Sequence, residues 1–139
     1  MSYTSNQLEN VFDQSSGHCH LCHKKLAFRN YALFGRRGAW EVEHSNPRAN
    51  GGTDRPSNLY PACIPCNRSK GAASTRSARA VNGKTRAPLS VPKRQASKLE
   101  NAVLGGFGGW LLGSLLNPAV GIIGGLLGAE AGHRHNPDR

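Results

Sequence analysis

Negative charge is scarce in this chain: eight Asp and Glu stand against eighteen Lys and Arg in 139 residues, a formal net charge of +10. A protein so poor in carboxylates does not present an acidic surface, and its basic excess draws phosphate polymers by releasing their counterions. Anionic lipid is the other partner that such a charge suits. Aromatic residues are also few, with two Trp, three Tyr and four Phe. Compact units below about 70 residues rarely bury enough apolar area to stand alone, so a covalent or metal staple is expected. Four cysteines are too few for a disulfide-dense scaffold. The opening residues Met-Ser-Tyr-Thr-Ser-Asn-Gln lack a basic start followed by an apolar core, so no secretory signal is expected and disulfides are disfavoured. Finally, no charged residue occurs from Asn101 to Ala129.

What is present falls into three compositions: residues 1–71 with all four cysteines, residues 72–100 rich in Ser, Ala, Arg and Lys, and residues 101–139, Gly-rich and apolar. Cys19, Cys22, Cys63 and Cys66 form two Cys-x-x-Cys pairs forty residues apart. Thiolates on two tight turns can complete a tetrahedral structural Zn2+ site. Leu8, Val11 and Phe12 recur at helical spacing, predicting an amphipathic helix. In Trp40-Glu41-Val42-Glu43-His44, Trp40 and Val42 share one strand face and Glu41 and Glu43 the other. Pro47 and Gly51-Gly52 force a loop, Asn58-Leu59-Tyr60 makes a short second strand that Pro61 ends, and a helix follows from Ile64 to about Thr75. This is a strand, loop, strand, helix unit, too small to hold together without a metal.

The order Cys-x-x-Cys, Glu-Val-Glu-His-Ser-Asn-Pro, Gly-Gly-Thr-Asp and Ser-Asn-Leu-Tyr-Pro-Ala-Cys-x-x-Cys-Asn-Arg-Ser-Lys-Gly resembles the HNH endonuclease family, over about residues 17–71. The resemblance implies a small α+β fold, a zinc-stapled ββα-metal domain of treble-clef-like form. It implies that His44 is the general base and that Glu43, in place of the usual Asp, holds Mg2+ or Mn2+. By the same resemblance Asn58 fixes the loop after the base, and Asn67 is a second ligand of the catalytic ion. Neighbours on a regular strand face opposite ways, so the strand must end or bend for Glu43 and His44 to address one phosphate. Arg48, Arg55, Arg68 and Lys70 lie around the expected site and are candidates to contact a nucleic-acid backbone. His18, His20 and His23 crowd the first knuckle and are read as exposed; any one as a substitute zinc ligand is the alternative.

Residues 72–100 carry seven basic side chains and the single acid Glu100, with few large apolar residues. An extended or disordered basic linker is expected there. In the tail, ten of the seventeen glycines lie between Gly105 and Gly132, at four-residue intervals that resemble a glycine zipper. Asn117-Pro118 divides it into two apolar pieces of about thirteen residues, each short of the roughly 20 needed to span a bilayer. A helical hairpin against a membrane, with self-association through residues 101–132 as the alternative, would keep the nuclease domain at the cytoplasmic, inner face. The leading function is a metal-dependent endonuclease acting on DNA, in defence or as a toxin. A non-catalytic zinc-dependent nucleic-acid-binding module is the competing reading.

Overall fold

In the computed structural model, residues 3–114 are described, and the chain divides after Val91 into two compact units. The first unit begins with helix α1, Ser5–Asp13. Thr4 caps it: its hydroxyl accepts from the Gln7 N–H at 3.3 Å, and the Gln7 side chain accepts from the Thr4 N–H at 2.9 Å. Val11 is buried, and Leu8 and Phe12 pack beside it, as the helical spacing predicts.

Strands β1, Trp40–His44, and β2, Leu59–Cys63, pair antiparallel, with Trp40 opposite Cys63 and His44 opposite Leu59. Trp40 is the centre of the core, ringed by Phe12, Phe28 and Tyr31 at centroid distances of 5.2, 6.3 and 5.0 Å. Its indole N–H donates to the Phe28 carbonyl at 3.2 Å, so the ring is buried without stranding its polar atom. Leu21, Leu26, Leu59 and Ala62 complete the cluster.

Helix α2 follows β2 without a loop, at Ile64–Lys70, with Pro65 in its first turn where a missing N–H costs nothing. It is shorter than the sequence pattern suggests. Gly71 ends it at φ 49°, and Ser74, accepting from the Ser77 N–H at 3.1 Å, starts a separate helix α3, Thr75–Val81.

That corrects the reading of residues 72–100 as an unstructured linker. Thr75 is buried and donates to the Ser45 carbonyl at 2.9 Å, and Arg79 donates to the His20 carbonyl at 3.0 Å. Pro88 is buried and the Leu89 carbonyl accepts from Ser16. Basic composition misled because polar anchoring to backbone carbonyls, not apolar area, offsets the ordering entropy here.

The second unit contains α4, Val91–Ser114, one helix in which Gly105, Gly109 and Gly113 sit. Among the described residues, no helix is long and apolar enough to cross a membrane. The expected break at Asn117-Pro118, and the glycines from Gly121 onward, lie outside the described residues.

Candidate active site and metal centre

The two cysteine pairs are brought together by unlike devices. The first sits on a tight knuckle in which the Cys19 N–H donates to the Lys24 carbonyl at 2.8 Å and His23 adopts φ 64°. The second spans the end of β2 and the first turn of α2. All four sulfur atoms lie within 4.8 Å of one another. A tetrahedral site with metal–sulfur bonds of about 2.3 Å sets its sulfurs about 3.8 Å apart, and Cys22 Sγ lies 3.8 Å from Cys63 Sγ. Cys19 Sγ accepts backbone N–H groups from Cys22 and Cys63 at 3.5 and 3.3 Å, which favours a thiolate. Hydrogen bonds from Cys19 and Cys63 push Cys22 down to about 2. Donation to Cys22 pushes Cys19 up, and burial pushes Cys66 up to about 12. A divalent cation among them would keep all four deprotonated, so the residues fit a structural metal, and zinc is compatible with the set.

His44 ends β1, and the chain after it is held by a dense set of bonds. The Asn58 side chain accepts from the Asn46 N–H at 2.6 Å and donates to the carbonyls of Asn46 and Thr53 at 3.0 and 2.8 Å. The Ser45 N–H donates to the Asn58 carbonyl at 2.8 Å. Gly52 is obligatory, because a Cβ there would fall 1.8 Å from the Asn46 carbonyl oxygen. The loop so fixed returns Asp54 to His44, with Oδ1 2.7 Å from Nε2. Arg48 joins them, 2.6 Å from Asp54 and 3.1 Å from His44 Nε2. The hydrogen bond to His44, then that to Arg48, holds the Asp54 carboxyl below its ordinary range.

On the opposite face of β1, Glu43 is 1% exposed. Its Oε1 lies 2.7 Å from Lys70 Nζ and its Oε2 3.7 Å from His20 Nε2. Neither oxygen accepts a hydrogen bond of good geometry, so the ion pair leaves the carboxylate under-satisfied. Burial raises the Glu43 pKa, against the opposing pull of Lys70. His20 stacks on Tyr60 at 4.1 Å and is pushed down to about 3, first by burial and then by Arg79 and Lys70. One turn before Lys70 on α2, the Asn67 amide donates to Glu41 Oε2 at 3.0 Å. That fixes the amide with Oδ1 as its remaining acceptor.

Helix α2 therefore crosses β1 in two rungs, Asn67 on Glu41 and Lys70 on Glu43. Both Glu43, whose oxygens accept no hydrogen bond of good geometry, and Asn67, with its oriented Oδ1, offer oxygen ligands that suit a hard divalent ion. Lys70 competes for the same carboxylate.

Of the basic candidates, Arg48, Arg55 and Arg68 are exposed. Lys70 is corrected: its side chain is 2% exposed and also donates to the His44 carbonyl at 2.9 Å, so it is an internal brace and not a backbone contact. His20 is likewise buried, against the expectation for the knuckle histidines. Sequence reasoning passed over Asp54, Glu41 and Arg79 as site residues. The Gly-Gly-Thr-Asp turn was visible, but its return to His44 depends on the loop bonds of Asn58.

A family model described as HNH endonuclease matches residues 19–73, which run from the first knuckle through α2. No curated protein and no solved structure matches the chain. The matched stretch holds both cysteine pairs, Glu43, His44, Asn58 and Asn67, and supports nuclease chemistry on nucleic acid at the level of the family.

Proposed function

We propose that this chain is a metal-dependent endonuclease that hydrolyses phosphodiester bonds, with DNA as its substrate and His44 as its base. The observation that carries the reading is the His44–Asp54 contact at 2.7 Å, in a loop braced by Asn58. In the tautomer with its proton on Nε2, that N–H donates to the Asp54 carboxylate and leaves the Nδ1 lone pair to take a proton from water, while the Arg48 Nε–H, 3.1 Å away, competes for the same Nε2. His44 is partly exposed, at 14% of its side chain, so water can reach it. Glu43 and Asn67 would hold Mg2+ or Mn2+, which when bound supplies charge neutralisation at the phosphorane and leaving oxygen. Glu43 is buried on the other face of β1 from His44 and paired with Lys70, so this role requires Lys70 to give up the carboxylate and the end of β1 to turn it toward His44. Asn58 keeps the base at one position, Arg48 offers a cation beside it, and the four cysteines hold Zn2+ as a structural staple.

Plasmid cleavage with Mg2+ or Mn2+, run beside His44→Ala and Asp54→Asn with zinc content checked, tests this. Loss of cleavage in His44→Ala at unchanged zinc is expected, with a smaller loss in Asp54→Asn. Wild-type rates in His44→Ala would place the base elsewhere.

A second reading, a non-catalytic zinc-dependent nucleic-acid-binding module, draws on Lys70 already sitting against Glu43. Manganese binding followed by electron paramagnetic resonance separates the two. Binding that is lost in Asn67→Ala while zinc is retained favours the enzyme, and no binding to wild-type protein favours the module.

A further inference from the structure

Away from His44, a cleft of about 980 Å³ opens beside the cysteine cluster. Its size is at the upper end of ligand pockets, which run from roughly 300 to 1,000 Å³. Lys24, Lys25, Arg36 and Arg37 line it, and no Asp or Glu does. In a chain with eight acids in all, four cations around one concavity still make a local field of a single sign, which focuses a polyanion.

The apolar part of the cleft includes Phe34, which is 72% exposed. This ring is held out by a stitched turn: the Arg36 N–H donates to the Leu33 carbonyl at 3.2 Å and the Asn30 side chain to the Arg37 carbonyl at 2.8 Å. Gly38, at φ 74°, closes the turn where a Cβ would meet the Ala27 nitrogen at 2.8 Å. The Arg68 guanidinium lies 5.1 Å from the Phe34 ring centroid, so a cation covers one side of it. Arg68 also reaches Glu41 at 3.3 Å, and Glu41 holds Asn67. A short chain of contacts thus leads from the cleft to the candidate catalytic rung.

We propose that this cleft takes a single-stranded segment of nucleic acid, one base stacking on Phe34 while its phosphates follow Lys24, Lys25, Arg36 and Arg37. A preformed cationic groove with an exposed aromatic platform is the recurring arrangement for single strands, because every base has a face to stack and every nucleotide a charge to neutralise. A duplex keeps its bases stacked on one another and gains only the charge. This deepens the nucleic-acid reading above and rests on it, naming the form of the substrate that the cleft prefers.

The test is fluorescence anisotropy with full-length His44→Ala protein, zinc content checked, and a labelled 12-nucleotide single strand beside a hairpin duplex of the same composition. In that background Phe34→Ala and Phe34→Leu are expected to weaken single-strand binding about 10-fold and duplex binding less than twofold, while Phe34→Trp retains both. Arg36→Gln with Arg37→Gln should lower the slope of log affinity against log salt by about 1.4 for the single strand. Phe34 is exposed, so these changes leave the fold intact. Unchanged single-strand affinity in Phe34→Ala, or equal losses for both forms, overturns the proposal. Its failure is separable from that of the nuclease reading: plasmid cleavage by wild-type protein with an inert Phe34 sinks the cleft alone. Phe34-dependent binding with no cleavage sinks the enzyme alone.

Discussion

Residues 3–91 and helix α4 differ in the ties and surfaces they show. In the first unit nearly every strand and turn is tied to something distant in sequence: Cys19 to Cys63, Ser16 to Leu89, Ser45 to Thr75, Lys70 to His44. Helix α4 is a single 24-residue helix that contains several glycines and presents Leu99, Val103, Leu104 and Phe107 as exposed apolar side chains. The contrast teaches where sensitivity to mutation should lie. A unit with a small core and many polar ties is sensitive to the loss of any one of them, whereas exposed helix positions tolerate change.

Cutting the strongest tie should have the largest effect. Cys63→Ser is expected to abolish cooperative folding of the first unit, because structural zinc contributes on the order of 10 kcal/mol, comparable with the whole stability of a small domain. Metal analysis should fall from about one zinc per chain to none, and Trp40, the centre of the core, should lose its buried fluorescence. A folded Cys63→Ser protein that keeps its zinc would remove the cysteine cluster from the account.

Next is the buried ion pair. Lys70→Met leaves Glu43 charged and enclosed, and breaking such a pair costs about 3–5 kcal/mol. Burial already raises the Glu43 pKa while Lys70 opposes the rise, so removing Lys70 raises it further. A carboxyl with a folded pKa above its unfolded value binds more protons folded than unfolded between the two. The variant should therefore gain stability as pH falls through the raised folded pKa toward the unfolded value near 4.5. Glu43→Gln with Lys70→Met should recover most of the loss at neutral pH. Urea melts at several pH values check both, and a Lys70→Met protein whose stability is flat with pH would mean that Glu43 is not the group left behind.

These two ties differ in how visible they are in sequence. The cysteine cluster follows from spacing alone, since Cys-x-x-Cys twice over leaves little else for the sulfurs to do. The order strand, loop, strand, helix is legible too, because Trp40 and Leu59 must be buried and Pro47 turns the chain, but the bounds are not: β2 runs through Pro61, expected to end it, to Cys63, and α2 stops at Lys70. Lys70 was misread as a surface cation because lysine almost always is one. Only the three-dimensional crossing of α2 over β1 shows Glu43 waiting beneath it. Helix α3 was illegible for a related reason: its anchors are an arginine and a threonine bonded to carbonyls of His20 and Ser45, which no periodicity records. Asp54 needed the loop closed before its return to His44 could be seen.

A tie of middle strength lies in that loop. Asn58→Ala removes three side-chain hydrogen bonds to Asn46 and Thr53 and leaves their backbone groups to find water. A cost of about 1–3 kcal/mol is expected. Cleavage should fall by more than stability explains, since Asp54 would no longer be returned to His44. Thermal melts and plasmid cleavage, measured on the same preparation well below the melting temperature, separate the two effects. Equal cleavage rates for folded Asn58→Ala and wild-type protein would mean the brace serves the fold alone.

The smallest effect on the first unit should come from removing the second. Residues 3–91 contain the cysteine cluster, both strands, and the His44 loop with all its bonds, and each unit is compact by itself. A chain ending at Val91 is therefore expected to keep its zinc and its cleavage, with stability within about 0.5 kcal/mol of full length, the range of changes away from specific ties. What truncation should remove is association. Leu99, Val103 and Phe107 recur every fourth residue on α4 and are exposed, so they line one side of the helix, a stripe that favours burial against lipid or another copy. Liposome flotation and light scattering on full-length and truncated protein distinguish those two occupants. If full-length protein neither floats nor assembles, the tail reading fails. If truncation abolishes zinc binding or cleavage, the two units are not independent, and the contrast between them is wrong.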